Sequence, residues 1–192
     1  MFFTIVPRTF APLFVKLHKV NVLNKLEIPF KGLSDGVHEF EYHVSDAFFE
    51  AIEYSDVKKG NVSAKISLDK QPGMMQLHFR INGYVTLTCD RCLEDFNFPI
   101  DTEDHLIVKI GPEPGEESEE VIIIADTEYK LQLWHYIYEY ISLQVPYRKT
   151  HPEDENGNST CDPEQIKRIE DLNSENRADP RWDALKNLKL DD

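Results

Sequence analysis

The stretch Thr88-Cys89-Asp90-Arg91-Cys92-Leu93 holds the residues of this sequence best suited to chemistry. Two thiols separated by two residues both turn toward one point when the chain between them bends, and a soft divalent cation is what such a pair holds. A tetrahedral ion needs two further donors. Cys161, the third cysteine, follows His151 by ten residues in a stretch containing Pro152, Asn156 and Gly157. Cys89, Cys92, His151 and Cys161 therefore make a Cys3His set that meets the ligand rules for structural zinc, although the distal pair is spaced more widely than in standard motifs. Two other readings use the same residues. In one, Cys89 and Cys92 are small turn residues with free or loosely oxidised thiols, and His151 is an exposed loop histidine. In the other, the pair is a thioredoxin-like redox centre. That chemistry lowers a thiol pKa at a helix N-terminus, whereas the flanks here read as strand.

Other candidates give way to plainer readings. No G-x-S-x-G, H-E-x-x-H, Walker or G-x-G-x-x-G arrangement occurs. His135, next to Trp134, reads as a partly buried surface histidine. The acidic pairs of residues 111–120 lack EF-hand order and read as a solvated face. Phe79, Phe96 and Phe98 fall on the core phase of alternating segments, which favours packing over base stacking.

The elements that must position the thiols are mostly strands. Val62, Ala64, Ile66 and Leu68 alternate with polar neighbours, and so do Met75, Leu77, Phe79, Ile81, Val85 and Leu87; period two over that length predicts half-buried strands. Gln71-Pro72-Gly73 between them predicts an antiparallel hairpin. Phe96, Phe98, Ile100, Leu106, Val108 and Ile110 continue the alternation beyond the cysteines, and Val121–Ile124 is a β-branched run. Two short strands are expected within 25–42, and a short helix capped by Asp46 after them. Leu131, Trp134, Ile137, Tyr138 and Ile141 recur at helical steps, with Asp126 or Thr127 as the cap and Pro146 as the stop. Weak helices are expected around Pro163 to Leu172 and Trp182 to Leu188. The fold class is α+β: an antiparallel meander sheet or partly closed barrel with one main amphipathic helix and short C-terminal helices. Residues 1–24 are expected to be a poorly ordered extension, 25–150 a single domain carrying the Cys-x-x-Cys knuckle, and 151–192 an acidic C-terminal segment.

Charge narrows the partners. With 35 Asp and Glu against 21 Lys and Arg, the net charge is -14. Ten acidic residues against one lysine between Asp101 and Glu128 carry much of it. Affinity for nucleic acid rests on cations displacing counterions, so a basic protein suits this chain better than naked RNA. An odd number of cysteines, two of them in one motif, is not a secreted disulfide framework. Pro7 and Pro12 interrupt the apolar start, no small-x-small cleavage site follows, and no later run is long enough to span a membrane. The expected location is the cytoplasm.

Gly83 to Glu94, with its Cys-x-Arg-Cys-Leu knuckle after a strand, resembles the signature of the YceD-like family of large ribosomal RNA accumulation proteins. Glu139 to Pro146 resembles the family's helix ending before a proline, His151 and Cys161 its later His and Cys pair, and Asp179-Pro180-Arg181-Trp182 with Leu185 and Leu188 its closing segment. Pro29 to Leu33 resembles Bacteroidetes versions. Some members have a denser second cysteine group, which this chain lacks. The resemblance implies a non-enzymatic factor supporting accumulation of 23S ribosomal RNA and ribosome assembly. With the charge, it implies a basic ribosomal protein or precursor large subunit as partner. A zinc-stabilised interaction module unrelated to ribosomes, or a thiol redox protein, is the alternative.

Overall fold

A computed structural model describes residues 22–174. Residues 1–21 of the expected extension and the helix expected around Trp182 to Leu188 lie outside the described residues.

The alternating segments form the sheet they predict. Strand β1 is Glu27–Ile28, β2 Gly36–Val44, β3 Lys59–Gln71, β4 Met74–Thr88, β5 Asp95–Gly111, β6 Gly115–Ser118, β7 Val121–Ala125 and β8 Leu131–Gln132. Six of them make one sheet in the order β2-β3-β4-β5-β7-β6. Pro72-Gly73 turns β3 into β4, with Gly73 at φ +79°, and the two strands pair antiparallel from Gln71↔Met74 to Lys59↔Thr86. Val62, Ala64, Ile66, Leu68, Met75, Leu77, Phe79 and Ile81 are buried, each large side chain among them contributing about 1.5–3 kcal/mol by leaving water. Gly83 lies opposite Val62 at φ +146°, where a Cβ would stand 2.2 Å from the Asn61 carbonyl oxygen. No other residue fits so close an approach.

The fold is α+β, as the pattern predicts, with differences in detail. The sheet is open and mixed, neither a barrel nor a simple meander: β7 lies parallel to β5 while β6 pairs antiparallel outside it. The Glu-rich stretch expected as a solvated loop thus contains β6, every residue of it exposed, held by main-chain pairing without side-chain burial. Strand β1 pairs with β8, a partnership between distant segments that local patterns do not encode.

Helix α1 is Asp46–Ala51 with Ser45 at its N-cap. Asp46 is a first-turn residue, and its carboxylate accepts the Gly60 N–H at 2.8 Å instead of capping. Helix α2 is Trp134–Gln144, starting from Leu133 without a side-chain cap; Asp126 and Thr127, expected as its cap, lie well before it, because Leu131-Gln132, expected inside the helix, are in β8. Its Ile137 and Ile141 are buried, Tyr140 meets Phe79 edge-on at 5.1 Å, and Val145 before Pro146 ends it. Helix α3 is Pro163–Ser174.

The chain divides into two compact units. Among the described residues, one comprises the run to Leu87 with Asn97–Tyr147; the other comprises Thr88–Phe96 with the run from Arg148. The first holds most of the sheet with α1 and α2. The second holds the Cys89–Cys92 bend and α3.

Candidate metal centre

Cys89 directly follows the last residue of β4, and the chain must reverse within six residues to enter β5. The Cys89 N–H donates to the Glu94 carbonyl at 2.9 Å and the Leu93 N–H to the Cys89 carbonyl at 3.0 Å. At the base of the bend the Thr88 hydroxyl donates to Asp95 at 2.8 Å. Leu93 takes φ +62°, the left-handed conformation needed to close so tight a loop. Both sulfurs turn inward: Cys89 and Cys92 are buried together with Cys161, and Phe96 and Ile166 pack against them.

The distal donors arrive through a second turn. The Asp154 N–H donates to the Asn158 carbonyl at 2.8 Å and the Gly157 N–H to the Asp154 carbonyl at 3.0 Å, with Gly157 at φ +80°. The Asp154 carboxylate accepts the N–H groups of Asn156 at 2.9 Å and Asn158 at 2.7 Å. These bonds, the Asn158 main-chain one foremost, hold its pKa below the ordinary carboxylate value. Glu153 bridges Ser159 and the Thr160 hydroxyl donates to the Pro152 carbonyl at 2.7 Å. The ten-residue spacing is thus folded back on itself, leaving His151 and Cys161 side by side. Asp162 then starts α3, its carboxylate accepting the Glu164 N–H at 2.9 Å, with Pro163 at the first helical position.

Asp90 joins the two turns. Its N–H donates to the Lys149 carbonyl at 2.7 Å and its carboxylate accepts the Lys149 N–H at 2.7 Å, two residues before His151.

All four donors are brought together, within 4.8 Å of one another. Cys89 Sγ lies 3.7 Å from Cys161 Sγ, and His151 Nδ1 lies 3.4 Å from Cys92 Sγ and 3.7 Å from Cys161 Sγ. A tetrahedron with Zn–S near 2.3 Å and Zn–N near 2.05 Å has S···S edges of about 3.8 Å and S···N edges of about 3.6 Å. The observed edges match, and even the longest need close by only about 1 Å around an ion. The set is compatible with a metal site.

Electrostatics point the same way. Burial alone would push the Cys89 thiol up, yet the N–H groups of Cys92, Arg91 and His151, together with the His151 side chain, bring it down to about 6. Burial pushes Cys92 up, reinforced by the neighbouring Cys89 and Cys161 sulfurs against the N–H groups of Glu94 and Asp162. One sulfur is prepared to be anionic beside another, Cys92, that resists it, a conflict that a cation between them removes. All three cysteines are free, and 3.7 Å between Cys89 and Cys161 sulfurs is far beyond the roughly 2.05 Å of a disulfide.

Sequence reasoning misses four supporting residues. The Phe96 ring lies 4.8 Å from that of His151, although its alternation assigns it to the sheet core. Ile166 closes the cluster from α3. Asp90 and Asp154 make the bonds described above; the signal for Asp154 is its place before Asn156-Gly157-Asn158, a turn sequence. Among the other candidates, His135 is half-buried against Tyr136 at 3.7 Å, its pKa lowered by burial. In the acidic stretch Glu117 pairs with Lys109 at 2.6 Å and Glu120 with His105 at 2.9 Å. Among the described residues no helix is long and apolar enough to cross a membrane.

A family model described as Large ribosomal RNA subunit accumulation protein YceD matches residues 77–189, more than half of the chain and inclusive of all four donors. No curated protein and no solved structure matches the chain.

Proposed function

The chain belongs to the YceD family of large ribosomal RNA subunit accumulation proteins, and from that membership we propose that it is a non-enzymatic factor that supports 23S ribosomal RNA accumulation by binding during assembly of the large subunit. The partner is a basic ribosomal protein, free or within the precursor particle, met in the cytoplasm. Family membership is the observation that carries this reading. The net charge of -14 supports a basic protein over bare RNA as the contact.

The four-donor set gives the proposal its structural part. Cys89, Cys92 and Cys161 through Sγ, and His151 through Nδ1, hold a zinc ion that cross-links the two turns. The ion is structural: all four positions are protein donors, so none is left for substrate or water. Burial of the three sulfurs and strand flanks at Cys89 and Cys92 disfavour a redox pair, whose attacking thiol must be accessible.

Depletion of the chain in its own cell tests the function. Large-subunit RNA should fall relative to small-subunit RNA and recover with the wild-type chain; an unchanged ratio overturns the ribosomal role. The same buried cluster also suits a zinc-stabilised interaction module with no ribosomal partner. Failure of the chain to co-sediment with precursor large subunits would favour that second reading.

A further inference from the structure

Leu93 is the one non-glycine residue with positive φ among the described residues, at +62°. The conformation has a local reason: it closes the bend, with the Leu93 N–H on the Cys89 carbonyl and the Cys89 N–H on the Glu94 carbonyl. The residue type has none. Glycine adopts this conformation freely and asparagine tolerates it, whereas leucine is strained there. A buried leucine would offset the strain by packing, but this one is 76 % exposed. The chain thus holds an apolar side chain in water, in a costly conformation, at the tip of a bend fixed by the bonds around the sulfur cluster. Strain held without an internal return is the mark of a side chain with a task outside its own fold.

Resting on the assembly-factor reading, we propose that Leu93 is a docking anchor that enters an apolar pocket on a basic protein of the large ribosomal subunit. A main chain held by the bend suits an anchor, since only the side chain's rotamers remain to be ordered on binding. The surrounding charge selects the kind of pocket. Glu94 and Asp95 follow Leu93 directly and are exposed, so a cationic rim on the receiving pocket suits them. Leucine cannot hydrogen-bond a base edge or stack on it, and the carboxylates beside it repel phosphate, so protein and not RNA is the surface contacted.

The test is co-sedimentation of the zinc-loaded full chain with large-subunit particles purified from its own cells, and with protein-free 23S RNA. Leu93→Gly and Leu93→Asn both fit the left-handed conformation. They should keep the zinc content and hold or raise the denaturant midpoint, since they relieve the strain, while weakening particle binding by about ten-fold or more. Val37→Thr, at another exposed apolar position, should bind like wild type. Equal binding by wild type and both Leu93 variants overturns the anchor and leaves the assembly reading standing. No binding by the wild-type chain, to the particles or to the basic proteins extracted from them, overturns both. Equal affinity of wild type for bare RNA overturns the protein pocket.

Discussion

Cys89 and Cys92 sit three residues apart with opposite tendencies, one thiol held down to about 6 and the other raised. Burial pushes both thiols up; the divergence comes from the N–H groups of Cys92, Arg91 and His151 on the first sulfur and from the neighbouring sulfurs beside the second. In the metal-loaded chain all four donors are equivalent in one respect, since a tetrahedral structural site does not tolerate the loss of a ligand. Cys89→Ser, Cys161→Ser and His151→Ala should each lower zinc from about one ion per chain to a small fraction, measured by metal analysis after gel filtration. Full zinc content in any of them would remove that residue from the set. This half of the chemistry is readable unaided at Cys89 and Cys92, because the motif is local. His151 and Cys161 are harder to read because their distance along the chain conceals the Asp154 turn. Asp154→Ala should cost about ten-fold in zinc affinity, by the loss that removing support for a ligand brings, with zinc still bound at saturation. A chelator competition measures it; an unchanged affinity would mean that the turn forms without its carboxylate.

At the scale of elements, what is legible divides by range. Strands β3 and β4, the Pro72-Gly73 turn and the end of α2 at Val145 follow from neighbours in sequence. Strand β8 merges into the helix pattern because its partner β1 lies about a hundred residues away, as the Ile28↔Leu131 pairing shows, and the parallel placement of β7 depends on which strand it meets, not on its own residues. The β1–β8 pair carries a charge interaction that local reading also misses. Lys130 Nζ lies 2.7 Å from Glu27 Oε2, and Gln132 Nε2 donates to the same oxygen at 2.8 Å. The Lys130 bond, aided by Gln132 against the effect of burial, lowers the Glu27 pKa. A carboxylate with a depressed folded pKa stabilises fully above its unfolded value, and that stabilisation is lost as pH falls through the folded one. Glu27→Gln should therefore melt below wild type at neutral pH, by no more than about 4 °C for so accessible a pair, and the gap should vanish in acid below the ordinary carboxylate range. A gap of the same size at both ends of the titration would assign the effect to lost packing, not to charge.

At the scale of the whole molecule the strongest influence on encounter is charge, and its placement decides how the proposed association responds to salt. Glu113, Glu116 and Glu119 are exposed around β6 and β7, in the segment where carboxylates most outnumber cations. Attraction between such exposed groups and a basic surface acts over the Debye length, about 10 Å at 0.1 M salt and about 3 Å at 1 M. It raises the rate of encounter more than it slows departure. Binding of the chain to large-subunit particles should accordingly weaken as salt rises, mainly through a slower on-rate, while a contact such as Leu93 governs the off-rate and is much less sensitive to salt. Replacing Glu113, Glu116 and Glu119 together by Gln should flatten the salt dependence and slow association at low salt, with dissociation nearly unchanged. Surface-immobilised chain and flowing particles separate the two rates. Association that strengthens with salt, or a triple variant whose on-rate matches wild type at low salt, would show that the acidic segment does not steer the encounter.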